Sequence, residues 1–536
     1  MSKNILLVAP VFPFGGGLWS LSKYQRRRGI KCLEPPLGLV TVASMLPDDC
    51  SLRLVDINLR PLEDEDLKWA ALLFLGGLIT QDSSMREVIA RAQGAKVPVV
   101  AGGPHATTSY ADLPGIDHLI WGEAEGLIER FWNDYQRGEA KACYAAPVKA
   151  EDRQRLEAFF GENNVCIDAG SLPDLAQTPL PRFDLLEMSS YASMSVQVSR
   201  GCPIGCEFCD IWRRFGKKSR YKPADRILAE FDELYRLGWR GRLFIVDDNF
   251  IGNKQRVKSL LIEIKRWQIE HGTPYQFFTE ATANMGDDEE LLDLMWSAGF
   301  GSVFLGIETP VAEALLEANK KINLTRNISE RVSRIQARGI NVSAGFIIGF
   351  DNDPNDIARC MVEHVNELAI PFAVVTILQP LPETNLWDRL KREGRLLNKG
   401  SPGFEHEIHF TTVRPIDAVI RDYRNVLCSL YSTDLSSYFA RCIELRRRIG
   451  QPPGKITSFL GGLAALFSSS MLLLLADIGT PRGRRAVKYV FTTVLTKTWY
   501  VPTALRYCLN GYHLQDIAAR LSADARLQAD SPPLGG

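Results

Sequence analysis

Short apolar runs alternate with segments of helical periodicity from residue 1 to about residue 146. The runs are rich in Val, Ile and Leu and predict five strands, at Ile5–Pro10, Leu52–Asp56, Leu72–Gly76, Val97–Gly102 and His118–Trp121. Strands that alternate with helices predict a parallel sheet with crossover helices. Several of these strands end in glycine-rich turns, and open α/β sheets bind ligands beyond the carboxyl ends of their strands. We therefore predict a Rossmann-like domain that carries a cofactor or nucleotide, although the glycines alone would also fit tight turns.

A second alternating series begins after residue 190, and the weaker pattern over 147–190 indicates a linker. Its strands are predicted at Val196–Ser199, Leu243–Val246, Phe277–Glu280, Ser302–Gly306, Val342–Ile348 and Val374–Leu378. Six βα units of this kind predict a partial (βα)6 barrel of the TIM type over 191–410, with functional groups at the carboxyl ends of the strands. From residue 411 to 536, Leu, Ala and Arg dominate and predict a helical C-terminal domain.

One uncharged run in the C-terminal region, Ile456–Ala476, approaches the length of about 20 apolar residues that a membrane span needs. The run contains Gly461 and Gly462, and arginines flank it on both sides, so no orientation is favoured. We expect a buried or interfacial helix in preference to a membrane span.

Composition narrows the class of protein. The chain has 536 residues, of which 46% are hydrophobic and 24% charged, which excludes disorder as the default. The 63 basic residues equal the 63 acidic residues, so no basic field favours nucleic acid as a partner. The 11 cysteines are too sparse for a disulfide scaffold, and the N-terminus lacks a signal-peptide pattern, so we expect a cytoplasmic protein with reduced thiols.

The most specific signal is a loop that follows a predicted strand and contains Cys202, Cys206 and Cys209. A structural zinc site would need a fourth ligand, and Cys166, Cys360 and His271 stand in no zinc-type spacing. A [4Fe–4S] cluster normally takes four donors, so three thiolates leave one iron open to another ligand. The loop therefore predicts an iron–sulfur site.

The spacing Cys202-x-x-x-Cys206-x-x-Cys209, with Phe208 before the last cysteine, resembles the signature of the radical S-adenosylmethionine superfamily. The resemblance implies that the open iron binds the amino and carboxylate groups of S-adenosylmethionine. It further implies reductive cleavage of that molecule to a 5′-deoxyadenosyl radical, and an electron donor such as flavodoxin or ferredoxin. The cofactors carry this chemistry and the protein positions them.

Further segments at successive strand ends resemble the cobalamin-binding branch of the superfamily: Val246–Phe250, Glu280–Asn284, Leu305–Thr309, Gly345–Phe350 and Leu378–Thr384. The contacts to S-adenosylmethionine that the resemblance implies are Phe208, Asp247, Asp248, Glu280, Asn284, Glu308, Ile347 and Gln379. Neighbouring residues of a strand face opposite sides, so we expect only one of Asp247 and Asp248 to point into the barrel. For each carboxylate, a structural salt bridge remains the alternative.

The N-terminal region resembles the cobalamin-binding domain of the same family through Pro35–Gly38, Asp56-x-Asn58 and Gly102–His105. The implied cobalamin contacts are Pro10, Pro36, Leu37, Asn58, Gly76, Gly77, Leu78, Gly102, Gly103, Pro104, His105, Gly122 and Glu123. Carriers with a histidine ligand on cobalt have the motif Asp-x-His-x-x-Gly, whereas this chain has Asn58 and Pro61 at the histidine and glycine positions. We expect cobalamin to bind without a histidine on cobalt, and His105 to be hydrogen-bonded or solvated.

The C-terminal region resembles the group that includes the hopanoid C-2 methylase and methylases of bacteriochlorophyll side chains. This resemblance implies methyl transfer to an unactivated carbon of a hydrophobic small molecule, with a polycyclic isoprenoid lipid such as a hopanoid favoured over a tetrapyrrole. Two alternatives stay open: a cobalamin-dependent oxidative cyclase, ring-contraction or oxygen-insertion enzyme, and a non-enzymatic membrane-associated iron–sulfur protein. Peripheral contact with a membrane is a further expectation, because Arg stems and aromatic rings next to an apolar helix suit a membrane interface.

Overall fold

The computed structural model describes residues 3–12, 25–26, 29–146, 148–168, 172–397, 408–451 and 469–529. Its N-terminal part is a parallel sheet of seven strands in the order β2-β1-β3-β4-β5-β6-β7. The strands are β1 Asn4–Ala9, β2 Ser51–Asp56, β3 Leu72–Gly76, β4 Val99–Gly102, β5 His118–Gly122, β6 Cys143–Ala146 and β7 Val165–Ile167. Apolar side chains pack on both faces of this sheet, as expected for a parallel sheet covered by helices.

The segment interpreted as a linker, 147–190, is partly an extension of this sheet. Its helix Ala150–Phe160 returns the chain to the sheet edge, where β7 pairs with β6. The strand has only three residues and its burial alternates, so its apolar signal was too short to detect. Part of the segment therefore belongs to the sheet, and the division of the chain at residues 146 and 190 stays a prediction.

The second series forms a parallel sheet of six strands in the order β15-β14-β13-β12-β11-β8, with β8 and β15 at its edges. Its strands are β8 Met194–Val196, β11 Gly241–Ile245, β12 Tyr275–Ala281, β13 Phe300–Glu308, β14 Asn341–Ile348 and β15 Ala373–Ile377. A two-stranded antiparallel ribbon, β9 Ser199–Arg200 with β10 Arg220–Tyr221, brackets the cysteine loop. The predicted partial barrel is confirmed, and every second residue of β12 and β14 is buried in its wall.

Helices cover both sheets and form the C-terminal region. Those of the N-terminal region are Leu37–Ala43, Asp64–Trp69, Asp82–Gly94, Gly103–Ser109, Leu127–Arg137 and Ala150–Phe160. Those of the barrel are Ile211–Arg214, Ala224–Arg236, Lys254–Glu270, Glu289–Ala298, Ala312–Glu317, Ile328–Ala337, Ile357–Glu367 and Asn385–Arg392. The last group is Ile416–Leu430, Ser436–Arg448, Ser469–Ala476, Pro481–Thr496 and Val501–Ala529.

The C-terminal helices share one apolar core with the barrel. Tyr431, for example, donates a hydrogen bond of 2.7 Å from its hydroxyl to the carbonyl oxygen of Ala373 in β15. In the described ranges, no helix combines the length and the apolar character required to cross a membrane. Most of the uncharged run singled out above, residues 456–468, lies outside the described residues.

Candidate active site between two parallel sheets

A single cavity of about 1670 Å³ lies where the carboxyl ends of the N-terminal strands face the barrel. Its wall includes residues at the ends of β1, β3, β4 and β5, residues of the barrel lumen and one face of the Val501–Ala529 helix. Pockets for single small ligands usually measure about 300–1,000 Å³. The cavity is therefore large enough for more than one bound molecule.

The cysteine loop begins at a position that only glycine can occupy without strain. Gly201 has a φ of +97°, and a Cβ atom there would lie 2.9 Å from the carbonyl oxygens of both Gly216 and Lys218. The glycine thus lets the chain turn directly after β9 into the loop that carries the three cysteines. Asn249, which follows β11, donates from Nδ2 towards Sγ of Cys202 at 3.9 Å.

Burial disfavours the charged form of all three thiols. It raises the pKa of Cys202, raises that of Cys206 to about 11 and raises that of Cys209 well above its usual value. The ammonium group of Lys320 acts in the opposite direction on Cys202 and Cys206. Thiols in such surroundings lose their protons when a metal binds them. Among the described residues, no three His, Cys, Asp or Glu side chains converge on one metal ion, but a four-iron cluster needs one thiolate per iron and not a shared ion. The loop therefore fits the cluster.

Asp247 and Asp248 face opposite sides, as the alternation of a strand predicts. Asp247 is buried in the wall, where it accepts hydrogen bonds from the Val198 amide at 2.8 Å and the Ser199 hydroxyl at 2.6 Å. Asp248 lines the cavity, and burial together with the charges of Asp247 and Asp210 raises its pKa to about 7. Asp247 thus orients the strand that enters the cysteine loop, and Asp248 is the one available to a ligand.

Glu280, at the end of β12, also lines the cavity. Burial and the neighbouring Asp248 raise its pKa to about 8. Glu308, at the end of β13, is instead bound by Lys320, whose Nζ lies 3.0 Å from its Oε1. Burial lowers the pKa of Lys320, but Glu308 and the nearby cysteines raise it by more. Lys320 therefore stays protonated, and its ammonium group is the cation beside the thiols. For Glu308, the structure thus shows the salt bridge that was the alternative to a contact with S-adenosylmethionine.

The remaining predicted contacts to S-adenosylmethionine lie near the strand ends but do not belong to the described cavity wall. Phe208 lies beside Phe350, with ring centroids 6.4 Å apart. Asn284 accepts a hydrogen bond of 2.7 Å from the Thr282 hydroxyl. Ile347 is half-buried in β14, and Gln379 follows β15. Asn249 and Lys320 were missed: Asn249 stands within a quoted strand-end segment, whereas no local signal identifies Lys320.

All the predicted cobalamin contacts line the cavity: Pro10, Pro36, Leu37, Asn58, Gly76, Gly77, Leu78, Gly102, Gly103, Pro104, His105, Gly122 and Glu123. A Cβ atom on Gly77 would lie 2.8 Å from Sδ of Met85 and 2.9 Å from Cγ of Pro10. The main chain of Gly77 therefore packs directly on these side chains and leaves no room for a side chain of its own.

Asn58 is held within the protein and stabilises the loop after β2. Its Nδ2 donates to Oδ1 of Asp56 at 2.7 Å, and its Oδ1 accepts from the Phe12 amide at 2.8 Å. His105 is buried, with Nε2 2.7 Å from Oδ1 of Asp82 and with Nδ1 lacking a hydrogen-bond partner among the described residues. Whether cobalamin binds without a histidine on cobalt stays a prediction.

A buried ion-pair cluster that no sequence pattern predicted joins the two regions. Arg200 of β9 binds Glu123 at 2.6 Å and Glu125 at 2.7 Å, and Arg220 of β10 also binds Glu123. The Tyr191 hydroxyl donates to Asp56 across the same junction at 2.8 Å. The carboxylate of Glu123 is therefore occupied by arginines, although its residue lines the cavity.

Three family models match successive parts of the chain. A B12 binding domain matches residues 30–131, the radical SAM superfamily matches residues 196–365, and a domain of unknown function, DUF4070, matches residues 384–526.

Similar proteins include methyltransferases. An uncharacterized methyltransferase of Synechocystis sp. is 40% identical over 87% of this chain and 83% of its own length. The hopanoid C-2 methylase of Rhodopseudomonas palustris is 33% identical over 81% of this chain and 78% of its own length. The same fold occurs in a structure of the radical S-adenosylmethionine methyltransferase TsrM from Kitasatospora setae, which has cobalamin and a [4Fe–4S] cluster bound. The TM-score is 0.59, and the two sequences are 14% identical over 87% of this chain and 96% of that chain.

Proposed function

The chain belongs to the cobalamin-binding radical S-adenosylmethionine methyltransferases, and we propose that it methylates an unactivated carbon of a bulky apolar molecule. Enzymes of this family use a [4Fe–4S] cluster, S-adenosylmethionine and cobalamin. Such a carbon has no lone pair or acidic proton with which to attack a sulfonium ion. A radical route through two cofactors removes this obstacle. A non-enzymatic iron–sulfur protein, the alternative considered above, is set aside by membership of an enzyme family.

The observation that carries the proposal is the single cavity shared by the two sheets. Its wall contains the glycine loops of the N-terminal region together with Asp248 and Glu280 of the barrel. A substrate in this space would contact both cofactors without leaving the protein. Proximity of this kind replaces an encounter in solution by a positioned reaction.

In this proposal Cys202, Cys206 and Cys209 hold the cluster, and the glycine loops after β3 and β4 hold cobalamin. When bound, the cluster and S-adenosylmethionine supply a radical that abstracts hydrogen, and cobalamin supplies the methyl group. Asn249 orients Cys202 through its amide. Asp248 and Glu280 accept hydrogen bonds from the ammonium group or ribose hydroxyls of S-adenosylmethionine, whose positive charge favours their ionised forms.

Apolar lining supports a hydrophobic substrate. Phe244 and Phe278 stack in the lumen with ring centroids 4.5 Å apart and planes within 7° of parallel. Flat apolar surfaces of this kind suit polycyclic molecules. The relatives include the hopanoid C-2 methylase and, at 24% identity, a bacteriochlorophyllide d C-12(1)-methyltransferase of Chlorobaculum tepidum, so we propose a polycyclic isoprenoid lipid or a tetrapyrrole.

Peripheral membrane contact and a reducing partner belong to the same proposal. Leu472, Phe491 and Leu495 are exposed on the neighbouring helices Ser469–Ala476 and Pro481–Thr496. Exposed apolar side chains beside basic residues suit the surface of an anionic bilayer. Reductive cleavage of S-adenosylmethionine requires an electron, for which a flavodoxin or ferredoxin is the proposed source.

A second candidate is oxidative cyclisation, ring contraction or oxygen insertion with the same cofactors. It is favoured by a more distant relative, an anaerobic magnesium-protoporphyrin IX monomethyl ester cyclase of Cereibacter sphaeroides, 22% identical over 61% of this chain. The two candidates differ in the mass of their products, since only methylation adds one methylene unit.

The test is mass spectrometry of lipid and pigment extracts from cells that make the intact chain, the Cys202→Ala variant or no such chain. Methylation predicts one lipid or pigment that is heavier by one methylene unit only in cells with the intact chain. Loss of hydrogen or gain of oxygen in that compound would favour the second candidate. Identical extracts from all three strains would contradict both.

A further inference from the structure

The cavity continues from the cofactor ends of the strands down the lumen of the barrel. Along β11 and the residues that follow it, Arg242, Phe244, Val246 and Asp248 all line its wall. β11 ends at Ile245 and Asp248 lies in the turn that follows, so roughly 13 Å of extended chain separate Arg242 from Val246, and Asp248 lies beyond Val246. The lumen therefore has one end beside Asp248 and another, far from the cysteine loop, beside Arg242.

One face of the Val501–Ala529 helix closes this far end. Residues at helical spacing, including Pro502, Leu505, Arg506, Leu509 and Asn510, line the cavity. Most of them are apolar or amide side chains, so Arg506 is the permanently charged contribution of this helix face, and His513 is a second ionisable side chain on it. The far end of the lumen thus brings together one arginine from a strand and one from a helix.

Five cationic side chains line the cavity, and they divide into two kinds. Arg200, Arg214 and Lys222 are ion-paired with Glu123, Asp210 and Glu230, respectively. Arg242 and Arg506 have no carboxylate partner within 4.0 Å in the described part of the chain. Cations inside proteins are normally paired because an unpaired buried charge is costly.

Arg242 and Arg506 are both half-buried, and the surroundings of Arg242 act on its charge in two directions. Its guanidinium lies over the ring of Phe278, 4.2 Å from the centroid, and this cation–π contact offsets part of the cost. Burial and the nearby charge of Arg506 lower the pKa of Arg242 to about 10, while Glu34 opposes the change. Glu34 neutralises the pair only in part, since burial raises its own pKa to about 7. An anion placed at both guanidinium groups would relieve their repulsion.

We propose that Arg242 and Arg506 bind an anionic oxygen group, a carboxylate or a phosphate, at the end of the substrate that lies far from the cluster. The substrate is then an elongated apolar molecule with an acidic end. Guanidinium groups suit this role because they donate two parallel hydrogen bonds to carboxylate or phosphate oxygens. The inference rests on the proposed function for the identity of the pocket, but it concerns binding and not methyl transfer.

The experiment measures binding of three probes with one apolar body by calorimetry, using the full chain reconstituted with its cluster and cobalamin. The probes are 1-pyrenebutyrate, 4-(1-pyrenyl)butyl phosphate and the neutral 1-pyrenebutanol. We expect at least one of the two anions to bind at least tenfold more tightly than the alcohol, and the preferred anion identifies carboxylate or phosphate as the group that the site takes. Arg242→Met and Arg506→Met should each reduce this preference to less than threefold, whereas Arg506→Lys should retain part of it.

Arg520→Met is the matched control, because Arg520 is an exposed arginine on the same helix. It should keep the full preference for the anion. Equal affinity for anions and alcohol in the unaltered protein, a preference that survives both methionine variants, or no saturable binding of either anion would overturn the proposal. Methylation of a neutral lipid by a protein without the preference would leave the proposed function standing and remove only this inference.

Discussion

The N-terminal sheet and the barrel both present the carboxyl ends of parallel strands to the same cavity, but they build its wall from different groups. The N-terminal wall has glycines at the ends of β3, β4 and β5 and mostly uncharged side chains around them. The barrel wall adds the carboxylates of Asp248 and Glu280 to an otherwise largely apolar lumen. A large cofactor needs space and main-chain contacts, whereas a small cationic cofactor needs oriented acceptors. The two strand ends thus differ as their proposed ligands differ.

The largest expected effect is the loss of the iron–sulfur cluster when a cysteine of the barrel is replaced. Cys202→Ala, Cys206→Ala or Cys209→Ala should abolish the [4Fe–4S] cluster and reductive cleavage of S-adenosylmethionine, because each thiolate is proposed to bind one iron. Iron and sulfide analysis after anaerobic reconstitution, together with 5′-deoxyadenosine formation, measures both. The exposed Cys428, changed to Ala, is the control and should retain the cluster. A triple variant that still cleaves S-adenosylmethionine would refute the assignment.

The second largest effect is expected on stability, when the ion-pair cluster between the two regions is broken. Arg200→Met leaves Glu125 without its arginine and Glu123 with only Arg220. Breaking a buried ion pair costs about 3 kcal/mol in unfolding free energy. We expect the urea midpoint of the first unfolding transition to fall accordingly. Arg182→Met, at an exposed arginine paired with Asp184, should shift the midpoint little, and equal midpoints for the two variants would contradict a structural role for the junction.

The proposed cobalamin site at the ends of the N-terminal strands is tested by Gly77→Ala. The added methyl group would lie within 3.0 Å of Met85 and Pro10, and we expect the glycine loop that lines the cavity to shift away from them. We expect the dissociation constant for cobalamin to rise at least tenfold while the cluster content is unchanged. Gly94→Ala is the control in the same region, because a Cβ atom there meets nothing within 4 Å. Unaltered cobalamin affinity in Gly77→Ala would argue against the proposed site.

The smallest expected effect is a pH dependence of stability in the protein without cofactors. Burial raises the pKa of Glu280 from 4.5 to about 8, so between these values the unfolded chain has lost a proton that the folded chain still binds. Stability therefore falls as pH rises through this window. Glu280→Gln should remove this loss, which the two pKa values put at no more than about 2.5 kcal/mol between pH 5 and pH 7, because each pH unit in the window contributes at most about 1.4 kcal/mol.

Thermal unfolding of the wild-type chain and the Glu280→Gln variant at the two pH values measures this difference. Glu313→Gln, at an exposed glutamate, should follow the wild-type chain. Parallel curves for wild type and Glu280→Gln would show that Glu280 is ionised in the folded chain at pH 5.

The sequence predicted those features that depend on residues close together along the chain. The cysteine loop, the glycine turns and the alternation that separates Asp247 from Asp248 each depend on a few consecutive residues. It did not predict the Glu308–Lys320 pair, the Arg200 cluster or the approach of Arg506 to Arg242, because these contacts join residues that are distant along the chain. The strand β7 was missed for another reason, since three residues are too few to establish a period.

The central claim, that both walls serve one methyl transfer, is tested most directly by turnover with S-adenosylmethionine that carries deuterium in its methyl group. The reconstituted protein, a chemical reductant and an extract of polycyclic lipids and pigments are combined without oxygen. The account predicts a product that is heavier by one methylene unit and carries the deuterium label, formed together with 5′-deoxyadenosine and lost when cobalamin is omitted. A product without the label, or labelled product in equal amount without cobalamin, would contradict it.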